Sequence, residues 1–586
     1  MASRVNNILS ILGFIGLVSA LHIISINQYT YPMGDHDYYM PMLKNLIDPS
    51  FFPHDYLHDQ LPQYPSVLWP LMAGIIQLTG AEIPTIFFIL YTSSIFSTYA
   101  VTYLLAMSLF ANRQVAFLSV FFLLFTQLHF ADVSLLENGL VFRTLALPFI
   151  LFGFYAFFEK RFVLAYVLTA IGLVIHPLSG IFSIAMMGLA SLFLLKFINK
   201  RDLVLSIILF GVISSPIFII KFTAAGPSMP LVATSEWLDI MRLRSSHHVF
   251  PFTWSRIDFF NAGCALLVLL ISLKHGPKDF FQYRATQLFI VAILFMMGIG
   301  VIFTEIVPIS FVIQLQFLRS MVMIFYFIPL LFANYYVKEI QQPTIITDDL
   351  QLILLSVFVF NVFSSSSFIL VVLSFMSFVA ITLIPRVYGT LPHIQISIPI
   401  YHWLIRHMFL LMLIGVIIVI GILNYIRLDP LTISNQDDPK WVDVQSWARQ
   451  HTSVGAIFII PPHLNGFRVD SERSVYVTWK DGTVAFFNES LGFEWLERLK
   501  LLGYEPTRSG GTLDYLEFGE VADVFGPIYR NLNEEKIDRI AQVAESCEVY
   551  FVTFSDVPEL ELPLSYKNND YVIYAVLGKQ VGCSED

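Results

Sequence analysis

Two carboxylates one residue apart, Asp35 and Asp37, follow closely on the first long apolar run of the chain. In an extended loop, side chains at i and i+2 point the same way. The pair could then hold a divalent cation, or one acid could act as a general base while the other orients it; a plain solvated loop would also carry such a pair. A second acidic pair, Asp132 and Glu137, lies in a later short loop, with Arg143 at the start of the next apolar run. Glu305 sits in a short turn between two further runs, and Arg319 lies about half way into the second of them. Ionisable groups at the membrane edge or within it are costly, so they mark either a functional site or a pairing inside the bundle. One loop collects Arg242, Arg244, His247, His248 and Arg256; arginine forks fit phosphate oxygens, whether of a ligand or of a lipid headgroup. His54-Asp55 and His58-Asp59 repeat at the spacing that would put two imidazoles on one helix face. His176 before Pro177 reads as a helix terminus.

The elements that must position these groups are membrane helices. Hydrophobic residues make up 56% of the 586, charged residues 13%, and the mean hydropathy is +0.68. A water-soluble core could not hide that much apolar surface, so the chain is a polytopic α-helical membrane bundle. About thirteen apolar runs match the roughly 30 Å hydrocarbon core at 1.5 Å rise per residue. They fall near residues 8–27, 84–110, 114–130, 144–158, 161–176, 178–197, 203–221, 257–273, 285–304, 308–334, 347–364, 366–384 and 405–426. The first has no small-residue cleavage site and reads as a retained helix. With the N-terminus inside, the inner loops collect Arg4, Arg113, Lys160, Arg161, Lys196, Lys200, Arg201, Lys274, Lys278, Arg284, Lys338, Arg386 and Arg406, the positive-inside pattern. The run 67–79 is short and flanked by Pro62, Pro65 and Pro70. It reads as an interfacial or re-entrant helix in a first outer loop, 28–83, with a second large outer loop at 222–256. The net charge of −10 argues against a nucleic-acid partner.

Composition changes after Arg427, which divides the chain into a transmembrane domain, 1–427, and a C-terminal extracytoplasmic α/β domain, 428–586. Asp438 is expected as an N-cap with Pro439 at the first helical position. Strands are expected at 456–460, 474–479, 549–554 and 571–577, and helices at 493–502 and 534–545. Cys264 reads as packing. Cys547 and Cys583 flank two strands whose antiparallel pairing would bring the sulfurs to one end, where a disulfide can form in an oxidising compartment.

Together these residues resemble the GT-C superfamily of integral membrane glycosyltransferases, which includes the catalytic subunit of oligosaccharyltransferase and the protein O-mannosyltransferases. In that superfamily an acidic motif follows the first helix, the place of Asp35-His36-Asp37; a second acidic pair lies in the next outer loop, the place of Asp132 and Glu137. Oligosaccharyltransferases add a glutamate in a later outer loop, which Glu305 matches in location. Their W-W-D acceptor motif is absent: Trp479-Lys480-Asp481 and Glu494-Trp495-Leu496-Glu497 are not equivalents. Segments 34–57 and 456–480, with Pro461-Pro462, Phe467-Arg468, Arg473 and Trp479-Lys480, are similar to an uncharacterised bacterial GT-C-like membrane family.

The resemblance implies a polyprenyl-phosphate-linked sugar donor entering from the membrane lipids, and an extracytoplasmic acceptor that is a glycan, lipid or protein. Asp35 or Asp37 would take the acceptor proton in an inverting displacement. Arg143, Arg242, Arg244 and Arg319 would bind the donor phosphate, and Mg2+ or Mn2+ could sit among Asp35, Asp37, Asp132 and Glu137. A bacterial inner membrane suits this multi-pass chain, in which no eukaryotic retention signal is read. A transporter or flippase of a lipid-linked or polar substrate, or an inactive scaffold of the same fold, would share much of this pattern; an inverted repeat, the mark of many carriers, is not evident.

Overall fold

The computed structural model describes residues 2–58, 66–223, 230–341, 349–365, 368–388, 438–509, 512–516, 518–544, 546 and 548–576. Within these, a helix overlies each of the first twelve expected spans, and the thirteenth position, 405–426, lies outside the described residues. Among the described residues, six segments are long and apolar enough to cross a membrane: Asn6–Ile26, Ile83–Phe110, Lys200–Lys221, Arg256–Leu273, Phe280–Ile306 and Ser310–Gln341. The protein is therefore a membrane-embedded helical bundle. Large apolar side chains such as Val204, Ile208, Val212 and Ile219 stand exposed on one of these helices, as a lipid-facing surface requires. Helix Met321–Gln341 is the opposite case, buried along most of its length among Ile83–Phe110, Arg113–Leu124 and Arg256–Leu273. The short helix Leu68–Thr79, 12 residues long, would extend about 18 Å at 1.5 Å per residue, well short of a crossing.

Two local departures from straight helices matter for the site. Helix Ala2–Leu21 ends in a π-turn, His22–Ile26, and the chain then re-enters a helix, His36–Ile47, that begins directly after Asp35. The segment expected as one span at 308–334 is broken: helix Ser310–Leu315 stops at Gln316, whose φ is +48°, a 3-10 turn Phe317–Ser320 follows, and only then does Met321–Gln341 begin. Arg319 thus lies on a turn at the head of a buried helix and not half way along a straight one.

Helices Phe162–Ile175 and Pro177–Phe193 form a tight hairpin around His176, whose Nδ1 accepts from the Ser179 N–H at 3.2 Å. A Cβ on Gly180 would sit 2.3 Å from the Leu173 Cα, so the two helices can approach only with glycine at this position. Gly180→Ala is expected to prise the hairpin open and destabilise the protein by about 1–3 kcal/mol, read as a lower thermal midpoint of the purified protein in detergent.

The C-terminal segment builds a five-stranded mixed sheet. Its order across the sheet is Ser474–Val475, Ile457–Ile459, Val549–Phe554, Tyr571–Val576, Leu564–Lys567. The first three strands run parallel and the last two pair antiparallel. Asp438 caps helix Pro439–His451 by accepting from the Lys440 N–H at 3.0 Å, as its position before Pro439 predicts. The expected helices lie at Glu489–Leu501 and Glu534–Val543. The expected strand 474–479 is cut to two residues: the chain bends at Tyr476 and enters a 3-10 segment, Lys480–Phe486, after Trp479. Cys264 is buried in its helix; Cys547 and Cys583, and with them the expected disulfide, lie outside the described residues.

This α/β unit interlocks with the first loop. Arg468, Asp55 and Asp481 form a buried triad, Arg468 Nε donating to Asp55 Oδ2 at 2.7 Å and its two terminal nitrogens donating to the Asp481 oxygens at 2.8 and 3.0 Å. Lys44 Nζ donates to the Val469 carbonyl at 2.7 Å and to Glu472 Oε1 at 2.8 Å. Trp237 Nε1 donates to the Ala485 carbonyl at 2.8 Å, which fixes helix Ser235–Val249 against the Lys480–Phe486 turn.

Candidate functional site

Where these parts meet there is a cavity of about 180 Å³. Its wall is shared by the head of helix His36–Ile47 (Asp35, Tyr38, Tyr39), Asp132, Arg143, His176, the kinked end of helix Ser235–Val249 (Arg244, Ser245, His247, His248), the Gln316–Arg319 break, and Lys480, Thr483, Phe486 and Phe487. Four cationic side chains, Arg143, Arg244, Arg319 and Lys480, face two carboxylates, Asp35 and Asp132. That excess of positive charge suits an anionic ligand.

Asp35 Oδ1 lies 2.6 Å from Lys480 Nζ, with both side chains partly exposed to the cavity. Burial pushes the Asp35 carboxyl up, but the charges of Lys480 and Arg143 outweigh it and hold the group well below the usual carboxylate range. Arg244 is held by the chain itself: Nε donates to the Trp479 carbonyl at 3.0 Å and a terminal nitrogen to Thr483 Oγ1 at 3.1 Å. Burial brings it down to about 10, so it stays charged at neutral pH. Arg319 donates to the Gln316 amide oxygen. Arg143 donates through Nε to Glu137 Oε1 at 2.9 Å, so Glu137 stands behind the cavity as a counter-ion. A smaller, largely apolar slot lined by Ile95, Leu147, Phe182 and Val322 adjoins the cavity, and Arg143, His176, Leu178 and Arg319 line both.

The structure corrects several expectations. Asp35 and Asp37 do not point the same way, because residues 36–47 are helical and positions two apart on a helix diverge by about 200°. Asp37 is buried, turned away from the cavity, and its Oδ2 accepts from the Gly466 N–H at 2.5 Å. The expected cation site of Asp35, Asp37, Asp132 and Glu137 therefore does not assemble: these acids engage Lys480, Gly466, His247 and Arg143 respectively. Glu305 does not line the cavity; its Oε1 accepts from the Phe252 N–H at 2.9 Å. Arg242 lies over the Phe250 ring, 5.2 Å from its centroid, and is not a cavity residue. His54 lies in a turn and His58 in a 3-10 segment, with Asp55 between them in neither, so no α-helix carries both imidazoles on one face; Asp59 lies outside the described residues.

In the sequence Lys480 stands out only within a family pattern, and its pairing with Asp35 has no sequence signal. Trp479-Lys480-Asp481 is a working string of a different kind: Trp479 holds Arg244, Lys480 enters the cavity, and Asp481 anchors Arg468. Of the candidates, Asp35, Asp132, Arg143, Arg244 and Arg319 come together in one place.

The site thus defines a helical membrane protein with a cationic, carboxylate-bearing cavity roofed by an α/β unit. Residues 439–502, which include Arg468, Lys480 and Asp481, match a family described as a domain of unknown function, DUF6798. No curated protein matches the chain.

Proposed function

We propose that the protein is a membrane glycosyltransferase of the GT-C type, moving a sugar from a polyprenyl-phosphate-linked donor to an acceptor that reaches the cavity from the aqueous side of the α/β unit. The observation that carries this reading is a partly exposed carboxylate, Asp35, set among Lys480, Arg143, Arg244 and Arg319 beside an apolar slot between helices. The slot suits the first isoprene units of a lipid and the cationic wall suits its phosphate. The GT-C-like arrangement of helices and acidic loops supports the same reading, as does a cavity roof drawn from the segment that resembles the bacterial GT-C-like family. An outward orientation of the cavity in a bacterial inner membrane belongs to this proposal.

In the reaction, the acceptor hydroxyl oxygen attacks the anomeric carbon, the bond from that carbon to the phosphate oxygen breaks, and the hydroxyl proton passes to Asp35. The arginines and Lys480 stabilise the departing lipid phosphate. A carboxylate paired with Lys480 is a weak base. Donor phosphate would relieve that weakness by drawing the ammonium towards itself, so Asp35 becomes free to accept a proton only when donor is bound. Lys480 is thereby a positioning residue as well as a phosphate contact.

The test is transfer from a panel of polyprenyl-phosphate sugars by the full-length protein in detergent or liposomes. Turnover with at least one donor is expected, and no turnover with any would favour the scaffold or carrier reading. The pH profile carries a second prediction. In the donor-free protein Asp35 is deprotonated and its pKa is depressed, so kcat/KM, which reports that state, is retained as pH falls and is lost only below the ordinary carboxylate value of about 3.9. Lys480→Met removes the largest depressing charge while burial remains, so the acidic limb should move to higher pH. An unmoved limb would detach Lys480 from the base.

A further inference from the structure

We propose that Asp132, His247 and His248 form a binding site for a zinc-class divalent transition-metal ion at the rim of the cavity. One ligand atom from each residue can be chosen so that all three lie within 4.8 Å of one another. His247 Nε2 is 3.7 Å from Asp132 Oδ2. A tetrahedral ion with bonds of about 2.0–2.2 Å holds its ligands roughly 3.3–3.6 Å apart, so closure needs side-chain shifts of about an ångström. The Asp132 side chain, 71% exposed, has the freedom to make them.

Three features prepare the residues for this task. Consecutive residues of a regular helix diverge by about 100°, but helix Ser235–Val249 breaks at Ser245, where φ is −133°. Beyond the break His247 and His248 stand with ring centroids 4.0 Å apart and line the same cavity. The Nδ1 of His248 lies 2.8 Å from the Ala131 carbonyl, and that of His247 lies 3.0 Å from the Tyr515 hydroxyl. Donating these outer N–H groups leaves each Nε2 lone pair for a metal, the outer-shell arrangement usual for histidine ligands. Ala131 and Asp132 both hold left-handed backbone, φ +54° and +53°, so the loop presents Asp132 in a conformation that L-residues seldom adopt.

Two imidazoles and one carboxylate favour Zn2+ or Co2+ over Mg2+, Mn2+ or Ca2+. Three protein ligands leave a coordination position open to the cavity, beside Arg244 and Arg319, where an oxygen of an anionic ligand can complete the shell. The site stands on its own geometry, whether or not the cavity transfers a sugar.

Full-length protein in detergent, stripped with a chelator and then exposed to Zn2+ or Co2+ without donor or acceptor, tests this. The wild type should retain one ion per chain after desalting, and the Co2+ form should show the intense visible bands of low coordination number. The double variant His247→Ala/His248→Ala should retain none. Asp132→Asn, isosteric and on an exposed loop, should bind at least tenfold more weakly, and Tyr515→Phe about tenfold to a hundredfold more weakly. A wild type without stoichiometric metal, or metal content unchanged in the double variant or in Asp132→Asn, would overturn the site. Because the readout is metal content, transfer activity can fail while the ion binds, or persist while it does not.

Discussion

Asp35→Asn is expected to cut transfer by about 10²- to 10⁴-fold, the span of a positioned general base, while the protein keeps its thermal midpoint within a few degrees. Asparagine has the same shape and can still accept from Lys480 Nζ, which lies 2.6 Å from Asp35 Oδ1. What it lacks is an affinity for a proton. Donor binding should survive, since the arginine contacts are untouched, so kcat falls far more than KM rises. Asp37→Ala should do the reverse. It removes the acceptor for the buried Gly466 N–H, an omission costing about 1–3 kcal/mol, and turnover per folded molecule should change little. Equal turnover by wild type and Asp35→Asn would remove Asp35 from the chemistry. A collapse of turnover in Asp37→Ala with unchanged stability would reverse the assignment of the two acids.

The largest expected effect on stability is at Arg468. Its side chain is 1% exposed, and its partners Asp55 and Asp481 are 0% and 1% exposed. Removing the guanidinium in Arg468→Met leaves two carboxylates buried without their cation, a change that costs about 3–5 kcal/mol. The loss should appear as a lower melting temperature, with protease cleavage in the first loop and in the 467–481 region becoming faster together, since the triad joins the two. Adding Asp55→Asn and Asp481→Asn to Arg468→Met should restore part of the loss, because the uncompensated charge goes with them. A triple variant no more stable than Arg468→Met would mean that hydrogen bonds to the Asp55 and Asp481 oxygens, including those from the Val475 and Thr478 N–H groups, carry the cost.

The sequence made some of this legible for specific physical reasons. Apolar run length located the helices, and Asp438 before Pro439 located a helix start, because both signals are local. The antiparallel pairing of Val549–Phe554 with Tyr571–Val576 was readable from two compact β-branched and aromatic runs. Asp35 and Asp132, which the loop order assigns to one side, line the same cavity. The orientation of Asp37 was not readable, since it depended on whether the chain after Gly34 is extended or helical, and Pro41 at position six of that helix argued against the helix. The break at Gln316 gave no warning, because nothing about a glutamine announces left-handed backbone. Lys480 was invisible as a site residue because its partner lies in another part of the chain, and proximity of that kind carries no local signal. His247 and His248 read from the sequence as part of a cationic loop, but their joint orientation depends on a kink at Ser245 that sequence periodicity does not show.

The interlock of Arg468 with Asp55 spans 413 residues of chain. At about 5–20 residues per second, a ribosome needs roughly 20 to 80 s to travel from one to the other. Through that interval the first loop is already made while Asp55 has no cation, Asp37 has no Gly466 and Asp35 has no Lys480. Asp35 thus exists early but its surroundings do not, and the cavity is complete only when synthesis has reached the roof. A release product ending before residue 468 would therefore carry Asp35 and Asp37 without Gly466, Lys480 or the rest of the cavity roof.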